Sequence, residues 1–337
     1  MRLAQASRSS EDRMRAVQLT TFEGFESLRT VEVDTPKPGA NEVLIAVKAA
    51  GINFAEIELT KGKYPSGKPL PFIMGFEAAG TVAEIGSQVK TVKQGDKVAA
   101  LVSSGGYAEY ATADANACIP IPAGISFAEA TTIVVQGLSA YTLLKLAAKP
   151  RPTESILIQA AAGGVGLYLI QLARIMGIKK IVALASTKEK IDLLTSLGVD
   201  AAVDYSVPGW TERVKDALGG NGADIVLEAA SGEVGAESMK LAAPFGRIVV
   251  FGSRNIHDTW SPEQIRHLIY GNRTVIGFNF PSLRPEQIAS CVPGLLDLIA
   301  RGEVKLFAAN SFPLAEVKMA FEALSSRGTI GKVVLTP

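Results

Sequence analysis

At 337 residues the chain exceeds one ordinary core, and its 47% hydrophobic and 20% charged residues exclude a disordered chain and imply two folded domains. A formal net charge of +1, from 34 basic and 33 acidic residues, gives no electrostatic case for nucleic acid or an anionic membrane surface as partner. Two cysteines far apart, Cys118 and Cys291, exclude a disulfide framework and fit a reducing, cytoplasmic setting, and no apolar run approaches the ~20 residues that cross a bilayer.

Residues 1–13, "MRLAQASRSSEDR", are polar and lack the apolar stretch of a signal peptide; a disordered tail is expected, with a transit peptide the alternative that their Arg and Ser leave open, and folded sequence starts at Met14. From Met14 to about Gly124 short alternating segments, "RAVQL", "EVLIAVKAAG", "AAGTVAEIG" and "DKVAALV", read as strands separated by turns such as "TPKPGANE" and "KQGD". The period then changes. Strands expected at 155–160, 180–185, 201–204, 224–229 and 247–251 alternate with helices at 164–176, 188–197, 209–218 and 235–243. Such alternation implies βαβ units and a parallel sheet. "RTVIGFNF" at 273–280 adds a further strand, and a helix near 286–301 and the strand "KVVLTP" close the chain.

"SILIQAAAGGVGLYLIQLARIMG", Ser155 to Gly177, is a strand, a glycine turn and a helix. A dinucleotide-binding turn has the pattern G-x-G-x-x-G, and here Ala161 holds the first place while Gly163 and Gly166 hold the others. Gly163 is expected to let the backbone approach a diphosphate and Gly166 to bring helix and strand together, with phosphates at the helix N-terminus. Alanine serves the first place if its φ stays negative. An NAD site places an Asp or Glu about 20 residues on, at the end of the second strand, to bind the ribose 2′-hydroxyl. Here "ALASTKEK" puts Ala185, Ser186 and Thr187 there, with Lys188 and Lys190 following. A hydroxyl donor and a cation favour a 2′-phosphate, so NADP (as NADPH) is the expected cofactor. His257, His267 and the two cysteines form no recognised four-ligand zinc spacing, and no G-x-S-x-G elbow is present, so a cofactor-dependent reaction is what remains.

From Met14 to Pro337 the chain resembles the zinc-free medium-chain dehydrogenase/reductases, in particular the NADPH:quinone oxidoreductase (zeta-crystallin-like) group. The likeness is carried, in order, by "KAAGINFAEI", "KGKYP", "GFEAAGTVAEIG", "GDKVA", "GGYAEY", "GLSAYTLL", "AAAGGVG", "VDY" and "SSRGTIGKVVL". The resemblance implies an α/β fold in which a GroES-like, mainly β catalytic domain, 14–135 and 281–337, holds an inserted Rossmann NADP-binding domain, 136–280. Zinc-dependent relatives carry a Cys and a His where this chain has Asn53 and Phe76, so no metal is expected. The resemblance also implies that Asn53 and Tyr64 are catalytic, with Asn53 beside the nicotinamide. It places Gly163, Gly164, Val165 and Gly166 at the diphosphate, and Lys190, Tyr205 and Arg327, with Ser186, at the 2′-phosphate. Gly252 and Ser253 fall near the nicotinamide. Glu58 stands where some members have a second tyrosine. A homodimer joined through the strand at 273–280 is expected.

Three functions are open on the sequence: NADPH-dependent reduction of quinones or similar activated carbonyls, reduction of 2-enoyl thioesters or enones, and a non-catalytic nucleotide-binding role. A small molecule, quinone or enone, is the expected partner of the first two. Each site residue also has a plainer reading: Asn53 as a helix cap, Tyr64 as an exposed tyrosine on a basic loop hinged at Gly62 and Gly67, Lys190 as a solvated helix residue, and Arg327 as a surface partner of Glu322.

Overall fold

The alternating residues of the N-terminal third form antiparallel sheets in a computed structural model that describes residues 13–337 except Ser66, Ser103, Ser104 and Ala309, with the backbone only at Ile256. The expected tail lies outside the described residues apart from Arg13, which opens the first strand opposite Asp34. Two units are present. The first takes in the chain up to Val134, Asn310–Thr329 and Val333–Pro337; the second is Val135–Ala309 with Ile330–Lys332.

In the first unit Glu42–Ile52 is the central strand of a seven-stranded sheet, paired antiparallel with Glu77–Ile85, Tyr110–Asp114 and Val333–Thr336. A smaller sheet joins Leu28–Asp34, Arg13–Leu19 and Phe72–Ile73. Alternation buries one side-chain set, including Val17, Leu19, Ile52, Met74 and Tyr107, under the helix Val317–Ser325. Phe321 of that helix meets Tyr107 edge-on, the ring centroids being 6.2 Å apart, within the separation favoured by aromatic pairs.

The second unit is a six-stranded parallel sheet. Its strands are β1 (Ser155–Ile158), β2 (Lys180–Ala185), β3 (Ala201–Asp204), β4 (Ala223–Glu228), β5 (Ala242–Val250) and β6 (Thr274–Gly277). They lie in the order 3-2-1-4-5-6, the doubly wound arrangement with its switch point between β1 and β4. Helices α1 (Gly164–Ile175), α2 (Lys188–Ser196), α3 (Trp210–Ala217), α4 (Gly232–Lys240) and α5 (Pro262–Tyr270) connect them. Ile156, Leu157 and Ile158 of β1 are wholly buried, as a strand covered on both faces requires.

The structure differs from the sequence expectation in several places, three of which bear on the second unit's extent. Helix α4 runs over 232–240 rather than 235–243, because Ala242 already pairs with Ala223 and starts β5. Helix α5 was absent from the expectation, although Ser261 caps it, Pro262 opens it and Gln264 completes a capping box. The chain returns to the first unit at Asn310 rather than at 281. The helix Val292–Ala300 stays in the second unit by burying Leu295, Leu298 and Ile299, and Gln171 of α1 clamps the Lys305 backbone at 2.8 and 3.2 Å.

Candidate functional site

The glycine turn leaves β1 through Gln159 and reaches α1 at Gly164. Its left-handed residue is Ala160, with φ of 47°, and Ala161 has no positive φ and is fully buried. The altered first place of the motif therefore lies in ordinary backbone. The three glycines differ in why they are glycines. A Cβ on Gly166 would fall 2.5 Å from the Ala160 carbonyl oxygen and 2.6 Å from the Ala161 Cα, so close helix–strand contact excludes it. A Cβ on Gly164 would fall within 2.0–2.1 Å of the Gln136 amide. At Gly163 conformation does not demand glycine, φ being −79° and ψ 169°, and a Cβ would meet a single atom, the Ala160 oxygen, in a tight 3.1 Å contact. A bare backbone facing space that the protein leaves unfilled, at a helix N-terminus, is a cradle for an anionic group. Val165 follows in the first turn of the helix. These residues fit a dinucleotide diphosphate.

The ends of β2 and β3 come together beside it. The Tyr205 N–H donates to the Ala185 carbonyl at 3.0 Å, which sets Tyr205 next to Ser186. Thr187 caps α2 by accepting from the Lys190 N–H at 3.3 Å, so the plain cap and the lysine occupy one turn. Lys190 is 8% exposed, which the solvated-helix reading did not anticipate. No Asp or Glu lies between Ala185 and Lys188. Arg327 belongs to the first unit, where it is exposed and takes the left-handed conformation, φ 57°, just beyond the last helix.

Gly252 and Ser253 follow β5. A Cβ on Gly252 would strike the Asn255 Oδ1 at 2.2 Å and the Ala229 oxygen at 2.7 Å, so the loops after β4 and β5 touch there. Gln159 Oε1 accepts from the Ala229 and Ala230 N–H groups at 3.2 and 2.9 Å, tying β1 to the β4 loop across the switch point. Glu228 is fully buried, accepts from the Ser231 N–H at 2.9 Å and from Asn255 Nδ2, and has its carboxyl pushed up by burial.

In the first unit Asn53 is 8% exposed and opens the helix Phe54–Thr60. Its Nδ2 donates to Glu77 Oε1 at 2.9 Å and to Glu56 Oε2 at 3.3 Å, and its N–H donates to Glu56 Oε2 at 2.9 Å. Asn53 is the N-cap residue of that helix, with Glu56 reaching back to its N–H, and Glu56, Glu77 and Tyr107 form a wholly buried polar group around it. Burial first, and then the two carboxylates, push the Tyr107 phenol well above its ordinary value. Tyr64 is half-buried against the unit's core, with its phenol raised by desolvation. Both proposed hinges, Gly62 and Gly67, have positive φ, 68° and 66°. Glu58 is buried and ion-paired with Lys61 at 3.2 Å, so its charge is not an open one. Among the described residues no group of three or more His, Cys, Asp or Glu side chains could hold a metal, and no helix is long and apolar enough to cross a membrane.

Sequence reasoning missed Gln136, Gln159, Glu56, Glu77 and Glu228. Each is a polar residue inside an apolar run, as in "IVVQGL", "ILIQAA" and "IVLEAA", and that misfit is the signal that marks it.

A GroES-like unit joined to a parallel dinucleotide-type sheet defines the class, and comparison with known proteins agrees. Residues 39–123 match the alcohol dehydrogenase GroES-like domain and residues 164–301 the zinc-binding dehydrogenase family. The chain is 31% identical to the quinone oxidoreductase of Pseudomonas aeruginosa over 95% of its own length and 99% of the relative. It is 30% identical to the synaptic vesicle membrane protein VAT-1 homolog of Rattus norvegicus over 96% of its length and 84% of the relative. The crystal structure of Escherichia coli quinone oxidoreductase complexed with NADPH superposes with a TM-score of 0.89 at 30% identity, covering 96% of this chain and all of that one. The chain belongs to the medium-chain dehydrogenase/reductase superfamily and, within it, to the zinc-free quinone oxidoreductase group.

Proposed function

We propose that the chain is an NADPH-dependent oxidoreductase that reduces quinones or similar activated carbonyls without a metal, as a cytoplasmic homodimer. The observation that carries the reading is Gly163, a glycine that its backbone conformation does not require and whose Cβ would meet one atom, at a helix N-terminus beside an acid-free β2 end. Bound NADPH would supply the hydride, and a quinone accepts it without a Lewis acid.

The chain's own residues divide the remaining work. The N–H groups from Gly163 to Gly166 hold the diphosphate, and Ser186, Lys190 and Tyr205 hold the 2′-phosphate, with Arg327 assigned there by family likeness. Gly252 and Ser253 keep the nicotinamide-side loop close to the β4 loop. Asn53 has committed its Nδ2 to Glu77 and Glu56. Oδ1 is its acceptor atom, suited to a carboxamide or a ribose hydroxyl. Tyr64, kept protonated by its raised pKa, donates a hydrogen bond to the oxygen that gains charge. Since Lys61 and Glu58 neutralise each other, that pair neither attracts nor repels an anionic thioester carrier.

Cofactor titration tests the reading: NADPH binds more tightly than NADH, and chelators leave turnover unchanged. Equal affinity for the two cofactors, or one tightly bound zinc per chain, contradicts it. The edge position of β6 supports the homodimer, and light scattering at micromolar concentration that finds a monomer removes that part.

A further inference from the structure

Gln136 lies in the π-helical turn Ile133–Gly137, among the buried Ile133, Val134 and Leu138. Turns of this kind interrupt the regular helix ladder and occur often at functional sites. The amide lies flat against the first residue of α1. A Cβ built on Gly164 would be 2.0 Å from Cδ and 2.1 Å from both Nε2 and Oε1. Gly164 is thus a glycine so that this amide can sit at the mouth of the helix N-terminus. The side chain is 8% exposed, and its Oε1 is buried without a hydrogen-bond partner. A buried polar atom left unpaired lowers stability, and a methionine or leucine of similar volume in the same apolar surroundings would remove that cost.

We propose that Gln136 is a cofactor-binding residue whose Nε2 donates to the diphosphate of the dinucleotide at the N-terminus of α1. The inference rests on the NADPH reading above. Phosphate oxygens only accept hydrogen bonds, so the amide must present its nitrogen and turn its oxygen inward. The buried, unpaired atom is the oxygen, as that orientation requires. The backbone N–H groups of the turn and this amide then bracket the phosphate from two segments distant in sequence.

The test compares wild type, Gln136→Met and Gln136→Glu by calorimetric titration with NADPH and with adenosine 2′-phosphate, which lacks the diphosphate, and by melting of the free proteins. Gln136→Met should weaken NADPH roughly tenfold, the effect of one charge-assisted hydrogen bond. Gln136→Glu should weaken it roughly a hundredfold, and less at high salt. Adenosine 2′-phosphate should bind all three alike, and free Gln136→Met should melt at or above the wild-type temperature. Unchanged NADPH affinity in Gln136→Met overturns the inference alone, as does an equal loss of adenosine 2′-phosphate. Wild type that does not bind NADPH overturns the cofactor reading and the inference with it.

Discussion

The two units present their candidate groups in opposite ways. In the second unit the site is mostly backbone: a glycine turn, a helix N-terminus and two strand ends, all close in sequence to a recognisable motif. In the first unit it is buried side chains from separated segments, Asn53, Glu56, Glu77 and Tyr107, in which the Asn53 amide already donates to both carboxylates before any ligand arrives. A backbone site is broken by adding atoms. A side-chain site is broken by removing them. The substitutions below are chosen on that difference.

The largest effect is expected at Gly163. Gly163→Val fills the cradle and should weaken NADPH binding more than a hundredfold while the melting temperature stays near wild type, since a Cβ there meets only the Ala160 oxygen. Gly166→Ala should do the reverse and destabilise the fold by about 1–3 kcal/mol, because the added atom meets backbone. If the two variants behave alike, the distinction between ligand-facing and packing glycines falls. Next is Lys190→Ala, which removes a charge-assisted hydrogen bond and should weaken NADPH by roughly ten- to a hundredfold with NADH little changed. Equal losses for the two cofactors would make Lys190 structural.

Effects in the first unit should be smaller. Tyr64→Phe removes one hydrogen bond to an oxygen that water can also protonate, so quinone turnover should fall only several-fold, for about 1 kcal/mol. If Tyr64 instead protonates carbon in an enoyl substrate, the loss is ~10²–10⁴-fold. Because burial raises its pKa, no loss of rate from ionisation of Tyr64 is expected below about pH 10. The smallest effect at neutral pH belongs to Tyr107→Phe, since the buried Tyr107 hydroxyl faces the Glu56 carboxylate without a well-formed hydrogen bond. The sign appears in alkali. The folded-state pKa is raised, so its stabilising contribution is complete below about pH 10, the ordinary tyrosine value, and is lost as pH rises through the higher folded-state value. Thermal melts across that range should fall less steeply for Tyr107→Phe than for wild type; identical slopes would show that this phenol does not govern the alkaline limb.

Local chemistry explains what the sequence could show. The β1–turn–α1 segment is legible because its glycines, apolar run and helical period all act within a few residues, and the substitution of Ala161 does no harm because the left-handed residue is Ala160. The absence of an acid after β2 is legible for the same reason. Asn53 was legible as a cap, but not its bond to Glu77, which lies 24 positions away. Gln136 was hidden likewise, since only the fold lays its amide on Gly164. The return point at Asn310 escaped because the period of Val292–Ala300 shows a buried face without saying which unit buries it.

The most direct measurement is NADPH oxidation by the full chain against a panel of quinones and a panel of 2-enoyl thioesters, with Gly163→Val as control. The account predicts that quinones are reduced faster than thioesters, that NADH supports the reaction poorly, and that Gly163→Val abolishes it. Thioester reduction with no quinone turnover would replace the quinone reading with the enoyl one. NADPH binding without turnover of any acceptor would contradict the claim that this chain is an enzyme.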